Sequence, residues 1–224
     1  MNIYLLPIYA VFIGIGFIAL LKQKKSTHSR LLLPFSGAFL LSLTLFDLLP
    51  EVYEHLEAKQ TGLFIMCGIL MQIILEFFSK GAEHGHVHIH VHSKVFPWAL
   101  FLSLCVHSFM EGFSIHQHND MVYGILVHKI PIAMVITTFL LNSNYTKLQV
   151  VLFLMVFTAM TPLGTYISNN ATFVSSYVNI INAFVIGIFF HISTIILFES
   201  SEGHKFNLSK LIAIILGISI AYMI

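Results

Sequence analysis

The chain contains long apolar stretches, each about as long as a helix that crosses a membrane. A helix rises about 1.5 Å per residue, so about 20 residues span the roughly 30 Å hydrocarbon core of a bilayer. Charged residues make up only 9% of the chain, far below the roughly 25% of an average soluble domain. We predict a single all-α transmembrane domain over 1–224, with eight helices at about 3–21, 31–50, 61–80, 95–116, 121–141, 147–168, 173–198 and 207–224.

The basic residues predict the orientation of these helices, because Lys and Arg in short loops are retained on the cytoplasmic side. Nine of the 11 basic residues fall on one side of the predicted membrane, namely Lys22, Lys24, Lys25, Arg30, Lys80, Lys94, Lys147, Lys205 and Lys210. We therefore expect both termini outside and the loop at 81–94 in the cytoplasm. The short loops favour a bacterial inner membrane, and the net charge of +1 gives no sign of a nucleic-acid partner.

Ionisable side chains inside the predicted helices are functional candidates, since a charge in lipid is costly unless it is paired or hydrated. These side chains are Asp47, Glu76, His107, Glu111, His128, Lys129, His191 and Glu199. His107 and Glu111 are four residues apart, which places them on one face of the fourth helix. With His128 from the fifth helix they offer imidazole and carboxylate ligands for Zn²⁺, and also for Fe²⁺, Mn²⁺, Co²⁺ or Cd²⁺.

Each of these residues also has a structural interpretation. His107 and Glu111 could form a hydrogen-bonded pair that holds two helices together. Pro131 favours the metal site instead, because a proline frees a backbone carbonyl and broken helices at membrane depth usually line an ion path. His191 alone is more typical of a hydrogen-bonded interior histidine, and Asp47 fits a pathway ligand or a helix-end carboxylate equally well.

Around these residues the sequence resembles the ZIP (Zrt-/Irt-like) family of divalent metal-ion transporters. The family's fourth helix carries a His-Asn/Ser-x-x-Glu-Gly motif, matched by His107, Ser108, Glu111 and Gly112. The other matching stretches are Gly37-Ala38-Phe39-Leu40 with Asp47-Leu48-Leu49-Pro50-Glu51, then His128-Lys129 with Pro131, and Thr161-Pro162-Leu163-Gly164.

The resemblance implies an eight-helix importer that brings metal into the cytoplasm, with the metal as substrate and no prosthetic group. It implies that His107, Glu111 and His128 are transport-site ligands, with Ser108 as a possible additional one. It also implies a homodimer and an elevator-like movement of one helix group against the other. Protonation of His107 or His128 would compete with the metal, so we expect acid to inhibit transport.

The sequence departs from the two-metal members of the family at several positions. Ser108 stands where they have Asn, and Lys129 and Ile132 replace acidic residues on the fifth helix. Our hypothesis is that the Lys129 ammonium takes the place of a second cation beside Glu111. The family's glutamate on the seventh helix is also missing, because Ile196 falls there; whether His191 or Glu199 substitutes is left open.

A histidine tract precedes the fourth helix, with every second residue a histidine: His84, His86, His88, His90 and His92. An extended chain places all five imidazoles on one face, about 6.6–7 Å apart. We interpret the tract as a metal-collecting cytoplasmic segment that is accessory to transport. His116, His118 and Asp120, at the other end of the fourth helix, would either attract cations to the entrance or form a hydrated helix end.

Transport is not the sole function that these ligands allow. Water or Asp47 could complete the coordination of an ion that binds and leaves, as a transporter requires. An intramembrane zinc hydrolase would also bury His and carboxylate ligands, although the chain has no HExxH motif. A metal sensor without net flux is the second alternative. We expect His107→Ala or Glu111→Ala to remove most transport without unfolding the protein.

Overall fold

A computed structural model describes residues 4–20, 27–79, 96–115, 119–199 and 208–224, of which residues 27–30, 119 and 199 are described by their backbone only. All regular secondary structure in these ranges is helical. The helices are α1 Leu6–Leu20, α2 Thr27–Leu43, α3 Leu49–His55, α4 Ala58–Ser79, α5 Trp98–Glu111, α6 Asn119–Leu141, α7 Lys147–Asn170, α8 Thr172–Ser175, α9 Val178–Glu199 and α10 Leu208–Met223.

Six helical stretches within the described ranges are long and apolar enough to cross a bilayer. They are Leu31–His55, Ala58–Ser79, Trp98–Ile115, Asp120–Leu141, Lys147–Asn170 and Val178–Phe198. The remaining long apolar helices, α1 and α10, have 15 and 16 residues. The chain is therefore an all-α polytopic membrane protein, while the eight spans and the outside position of both termini stay predictions.

The second predicted segment is longer than expected, because its helix continues past Pro50 to His55. A π-helical turn, Thr44–Leu48, joins α2 to α3, and the Leu49 amide donates to the Thr44 carbonyl five residues back. Pro50 lies in the first turn of α3, where a missing amide hydrogen is tolerated. Asp47 sits within the π turn, a feature that is common at functional sites.

The proline in α6 does not break its helix. α6 runs without interruption from Asn119 to Leu141 with Pro131 inside it. The absent amide hydrogen of Pro131 removes one hydrogen bond from the ladder but leaves the helical path intact. The expectation that Pro131 marks a broken helix is therefore wrong.

We divide the long helices into two groups, the α6 group (α1, α5, α6 and α7) and the α9 group (α2 with α3, α4, α9 and α10). In the first, α1 packs on α6 and α5 on α7; in the second, α4 packs on α9 and α10 on α2. Within each group, glycines let backbones touch. Gly112, which follows α5, lies against Gly164 of α7, and Gly68 of α4 lies against Gly187 of α9. An added Cβ at any of these positions would collide with backbone atoms of the neighbouring helix, so small residues fix the spacing within each group.

The two groups also pack against each other. α6 contacts α2 and α5 contacts α4 across this boundary. Gly124 of α6 faces the Cδ1 atoms of Leu43 and Leu40, at 3.1 and 3.2 Å from where its Cβ would lie. The nearest atoms here are the movable ends of side chains, whereas Gly68, Gly112, Gly164 and Gly187 meet backbone atoms inside their groups.

Candidate metal centre

Three potential metal ligands meet between α5 and α6. His107 and Glu111 lie one turn apart on α5, and His128 projects from α6; their side chains are almost completely buried, at 3%, 1% and 1% relative exposure. One ligand atom from each lies within 4.8 Å of the others. The imidazole and carboxylate ligands that the sequence singled out are thus brought to one point inside the helix bundle.

The distances among these atoms are compatible with one small divalent ion. The His107 Nε2 atom lies 3.0 Å from Glu111 Oε1, and His128 Nε2 lies 4.0 Å from the same oxygen. Zinc ligands at about 2.0–2.1 Å in tetrahedral geometry lie roughly 3.3–3.5 Å apart. The observed separations lie on either side of that range, so small side-chain rotations would place the three ligands around a single ion.

Lys129 lies on the other side of the Glu111 carboxylate and is itself only 2% exposed. Its Nζ donates to Glu111 Oε2 at 2.6 Å and to Ser108 Oγ at 2.8 Å. The Phe157 ring lies under the ammonium, with its centroid 5.0 Å from Nζ. The buried positive charge is therefore paired with a carboxylate, as a buried charge requires.

Ser108 and Thr161 connect this lysine to α7. Ser108 Oγ lies 2.9 Å from Thr161 Oγ1, and Thr161 Oγ1 donates to the Ser108 carbonyl at 2.7 Å. A longer contact of 3.4 Å joins Ser108 Oγ to the Phe157 carbonyl. Ser108 thus bonds to a lysine and a threonine rather than facing the three ligands.

Two further α7 hydroxyls continue the row that Thr161 begins. Thr165 Oγ1 lies 3.0 Å from both the Gly112 and the Thr161 carbonyl, to either of which it can donate, and Ser168 Oγ donates to the Phe113 carbonyl at 3.2 Å. The backbone after α5 tightens into a 3₁₀ turn at Gly112–Ile115, which leaves carbonyls without their α-helical donors. The Thr165 and Ser168 hydroxyls thus lie within hydrogen-bond distance of carbonyls in this turn.

Asp47 and His191 lie outside the three-residue cluster. His191 Nε2 bonds to Glu76 Oε2 at 2.6 Å, which joins α9 to α4 within the α9 group. Asp47 is half-buried in the π turn between α2 and α3. The geometry of His191 corresponds to the hydrogen-bonded interior histidine that was its alternative interpretation.

Several predicted residues lie outside the described part of the chain. They are the five histidines of the tract, His84, His86, His88, His90 and His92, together with His116 and His118. Glu199 ends α9, and its side chain is likewise not described. Their proposed roles remain predictions.

Sequence reasoning missed two features of this region. Thr161 was noted as part of a motif but had no assigned contact, although its spacing to Thr165 and Ser168 places all three on one face of a helix. Glu76 was noted as ionisable, but the partner of His191 was not identified. Both pairings join helices that are distant in sequence, and one chain read alone does not show which helices touch.

Comparison with known proteins shows the family of the chain. A sequence model of the ZIP zinc transporter family matches residues 79–224, which include the three candidate ligands and Lys129. Zinc transporter ZIP1 of Danio rerio is 29% identical over 182 residues, covering 58% of this chain. The chain covers 60% of the length of that relative. The chain is therefore a member of the ZIP zinc transporter family.

Proposed function

We propose that the protein carries divalent transition-metal ions, chiefly Zn²⁺, across a membrane through the His107, Glu111 and His128 cluster. The observation that supports this most directly is the burial of all three potential ligands between membrane-spanning helices of a ZIP family member. Ionisable residues at this depth are costly, so their presence favours a role in ion passage. Fe²⁺, Mn²⁺, Cd²⁺ and Co²⁺ are further candidate substrates because the same ligands accept them.

The direction of transport that we propose is uptake into the cytoplasm. The asymmetric distribution of basic residues supports a topology of eight spans with both termini outside. Under this topology the histidine tract would receive ions on the cytoplasmic side as an accessory segment. A bacterial inner membrane and a homodimer complete the proposal; they rest on the short loops and on family resemblance, respectively.

We further propose that the site holds one metal ion, with Lys129 in the place of a second. Glu111 divides its two oxygens, Oε1 toward the histidines and Oε2 toward the Lys129 ammonium. A second divalent ion at Oε2 would have to displace a buried cation from its carboxylate. Measurement of two metal ions per chain in the α5/α6 site at saturation would contradict this proposal.

An elevator-like movement of the α6 group against the α9 group is the transport mechanism that we propose. It is supported by the backbone contacts of Gly112 with α7 and of Gly68 with α9 inside the groups, compared with the side-chain contacts of Gly124 at the boundary. The α6 group contributes all three candidate ligands, so the site would travel with that group. Polar groups such as His191 and Glu76 would strengthen the other group without entering the ion path.

Purified protein in liposomes tests the proposed function. Zinc-sensitive dye inside the vesicles should report saturable Zn²⁺ entry well above that of protein-free vesicles. Metal binding without entry would instead favour a sensor. Metal-dependent cleavage of a peptide substrate without entry would favour an intramembrane hydrolase.

A further inference from the structure

We propose that Thr161 of α7 is a positioning residue that sets the metal preference of the site, acting through Ser108 and Lys129 on Glu111. The four residues form one continuous chain of hydrogen bonds. Among the described residues, Thr161 makes its side-chain hydrogen bonds to Ser108 and none to the three candidate ligands. The inference rests on the proposed function, because it concerns which ion the same cluster prefers.

The direction of each hydrogen bond follows from the chemistry of its partners. The Ser108 carbonyl only accepts, so the Thr161 hydroxyl donates to it at 2.7 Å. The Thr161 oxygen is then available to accept from the Ser108 hydroxyl at 2.9 Å, which is closer than the Phe157 carbonyl at 3.4 Å. The remaining lone pairs of the Ser108 oxygen receive a hydrogen from Lys129 Nζ at 2.8 Å.

This order of donors holds Lys129 against one oxygen of Glu111. The ammonium is fixed by the Ser108 oxygen and by the Phe157 ring, and its bond to Glu111 Oε2 measures 2.6 Å. Oε2 is therefore occupied, and Oε1 is the oxygen that faces His107 and His128. Glu111 can bind a metal ion through a single oxygen as long as the lysine stays in place.

A one-oxygen carboxylate favours a small ion. Two imidazoles, one carboxylate oxygen and one water give the fourfold coordination that is typical of Zn²⁺ and available to Co²⁺. A carboxylate that binds through both oxygens would raise the coordination number and admit the larger Cd²⁺ more readily. Loosening Lys129 should therefore shift the preference from Zn²⁺ toward Cd²⁺.

Thr161→Val removes the hydroxyl at nearly constant volume and should have two measurable effects. Partners that orient metal ligands change metal affinity about 10- to 100-fold when they are lost, so we expect the ratio of Cd²⁺ to Zn²⁺ uptake to rise about tenfold. The visible spectrum of Co²⁺ bound to the detergent-purified protein should lose the intense bands of fourfold coordination. Thr161→Ser keeps the hydroxyl and should restore both properties.

Thr165→Val is the matched control, because Thr165 makes the same kind of bond from the same helix to the Gly112 carbonyl but does not contact Ser108. It should leave the uptake ratio and the Co²⁺ spectrum as in the wild type. Ser108→Ala interrupts the same chain of hydrogen bonds at Ser108 and should reproduce the effects of Thr161→Val. It provides a second test if the Thr161→Val variant does not fold.

Two outcomes would overturn the inference. One is an unchanged ratio and spectrum in both Thr161→Val and Ser108→Ala; the other is an equal change in Thr161→Val and Thr165→Val, which would indicate a purely structural role. The Co²⁺ spectrum is measured on the detergent-purified protein and does not depend on transport. A wild type that fails to carry ions would therefore refute the proposed function and still leave the spectrum as a test of the chain of hydrogen bonds.

Discussion

At the scale of single residues, Glu111 joins two different environments. One oxygen lies beside His107 and the other beside Lys129, and none of the three side chains is appreciably exposed. The lysine and the glutamate therefore stabilise each other as a charge pair, while His107 and His128 bring imidazole nitrogens to the other oxygen. Substitutions that separate charge pairing from metal binding should distinguish these two roles.

Lys129→Met should destabilise the protein, because it leaves the Glu111 carboxylate buried without its cation. Removing one partner of a buried pair typically costs about 3–5 kcal/mol. The double variant Glu111→Gln with Lys129→Met should regain much of the melting temperature in detergent yet remain inactive in zinc uptake. A double variant that is no more stable than Lys129→Met alone would contradict the pairing.

The same reasoning changes the expected effect of Glu111→Ala. From the sequence, this substitution was expected to spare folding. The structure places the Lys129 ammonium 2.6 Å from Glu111 Oε2 inside the bundle, so loss of the carboxylate leaves a buried charge unpaired. We expect a lower melting temperature for Glu111→Ala than for His107→Ala, with uptake lost in both.

At the scale of helices, the sequence predicts the positions of most helices but not the local backbone geometry at two points within them. Apolar segment length predicts where most helices lie, since crossing a bilayer fixes their minimum length. The π turn at Thr44–Leu48 and the unbroken path through Pro131 were not predicted. Local geometry at these points depends on which carbonyls neighbouring helices satisfy, and a single sequence does not carry that information.

The candidate site was predicted to a similar extent. Spacing placed His107 and Glu111 on one helix face, and His128 was singled out as a third ligand because it is ionisable and lies in the next helix. The departure from two-metal family members suggested the role of Lys129. The sequence did not predict that Thr161 would reach Lys129 through Ser108. That link joins α5, α6 and α7 at a single point and depends on their packing.

The bond between His191 and Glu76 should fasten α9 to α4 rather than bind the transported ion. His191→Ala should lower the melting temperature modestly, since loss of a partly buried hydrogen bond costs about 0.5–1.5 kcal/mol. The zinc concentration for half-maximal uptake should remain that of the wild type. A large rise in this concentration, without a change in melting temperature, would instead indicate a ligand role.

At the scale of the whole molecule, two groups of helices should move past each other. Gly124→Ala places a methyl group against the ends of Leu40 and Leu43 at the boundary between the groups. We expect slower maximal uptake with unchanged metal affinity and little change in melting temperature. Gly187→Ala is the matched control within one group: its Cβ would meet the α4 backbone, so it should destabilise the protein directly.

The histidine tract should be dispensable for transport. Deletion of residues 84–92 leaves the α5 and α6 ligands in place, so zinc uptake into vesicles should continue at a comparable rate. Retention of metal by the purified protein should fall, because five imidazoles are lost. Abolished uptake by a correctly folded deletion variant would make the tract part of the transport path.

The central claim is that the His107, Glu111 and His128 cluster carries the ion across the membrane. The most direct measurement is the initial rate of Zn²⁺ entry into liposomes containing purified wild type, His107→Ala or His191→Ala, at matched protein amounts. We predict that His107→Ala loses most of the uptake while remaining folded and that His191→Ala retains it. Wild-type uptake by His107→Ala, at wild-type zinc affinity, would contradict the account.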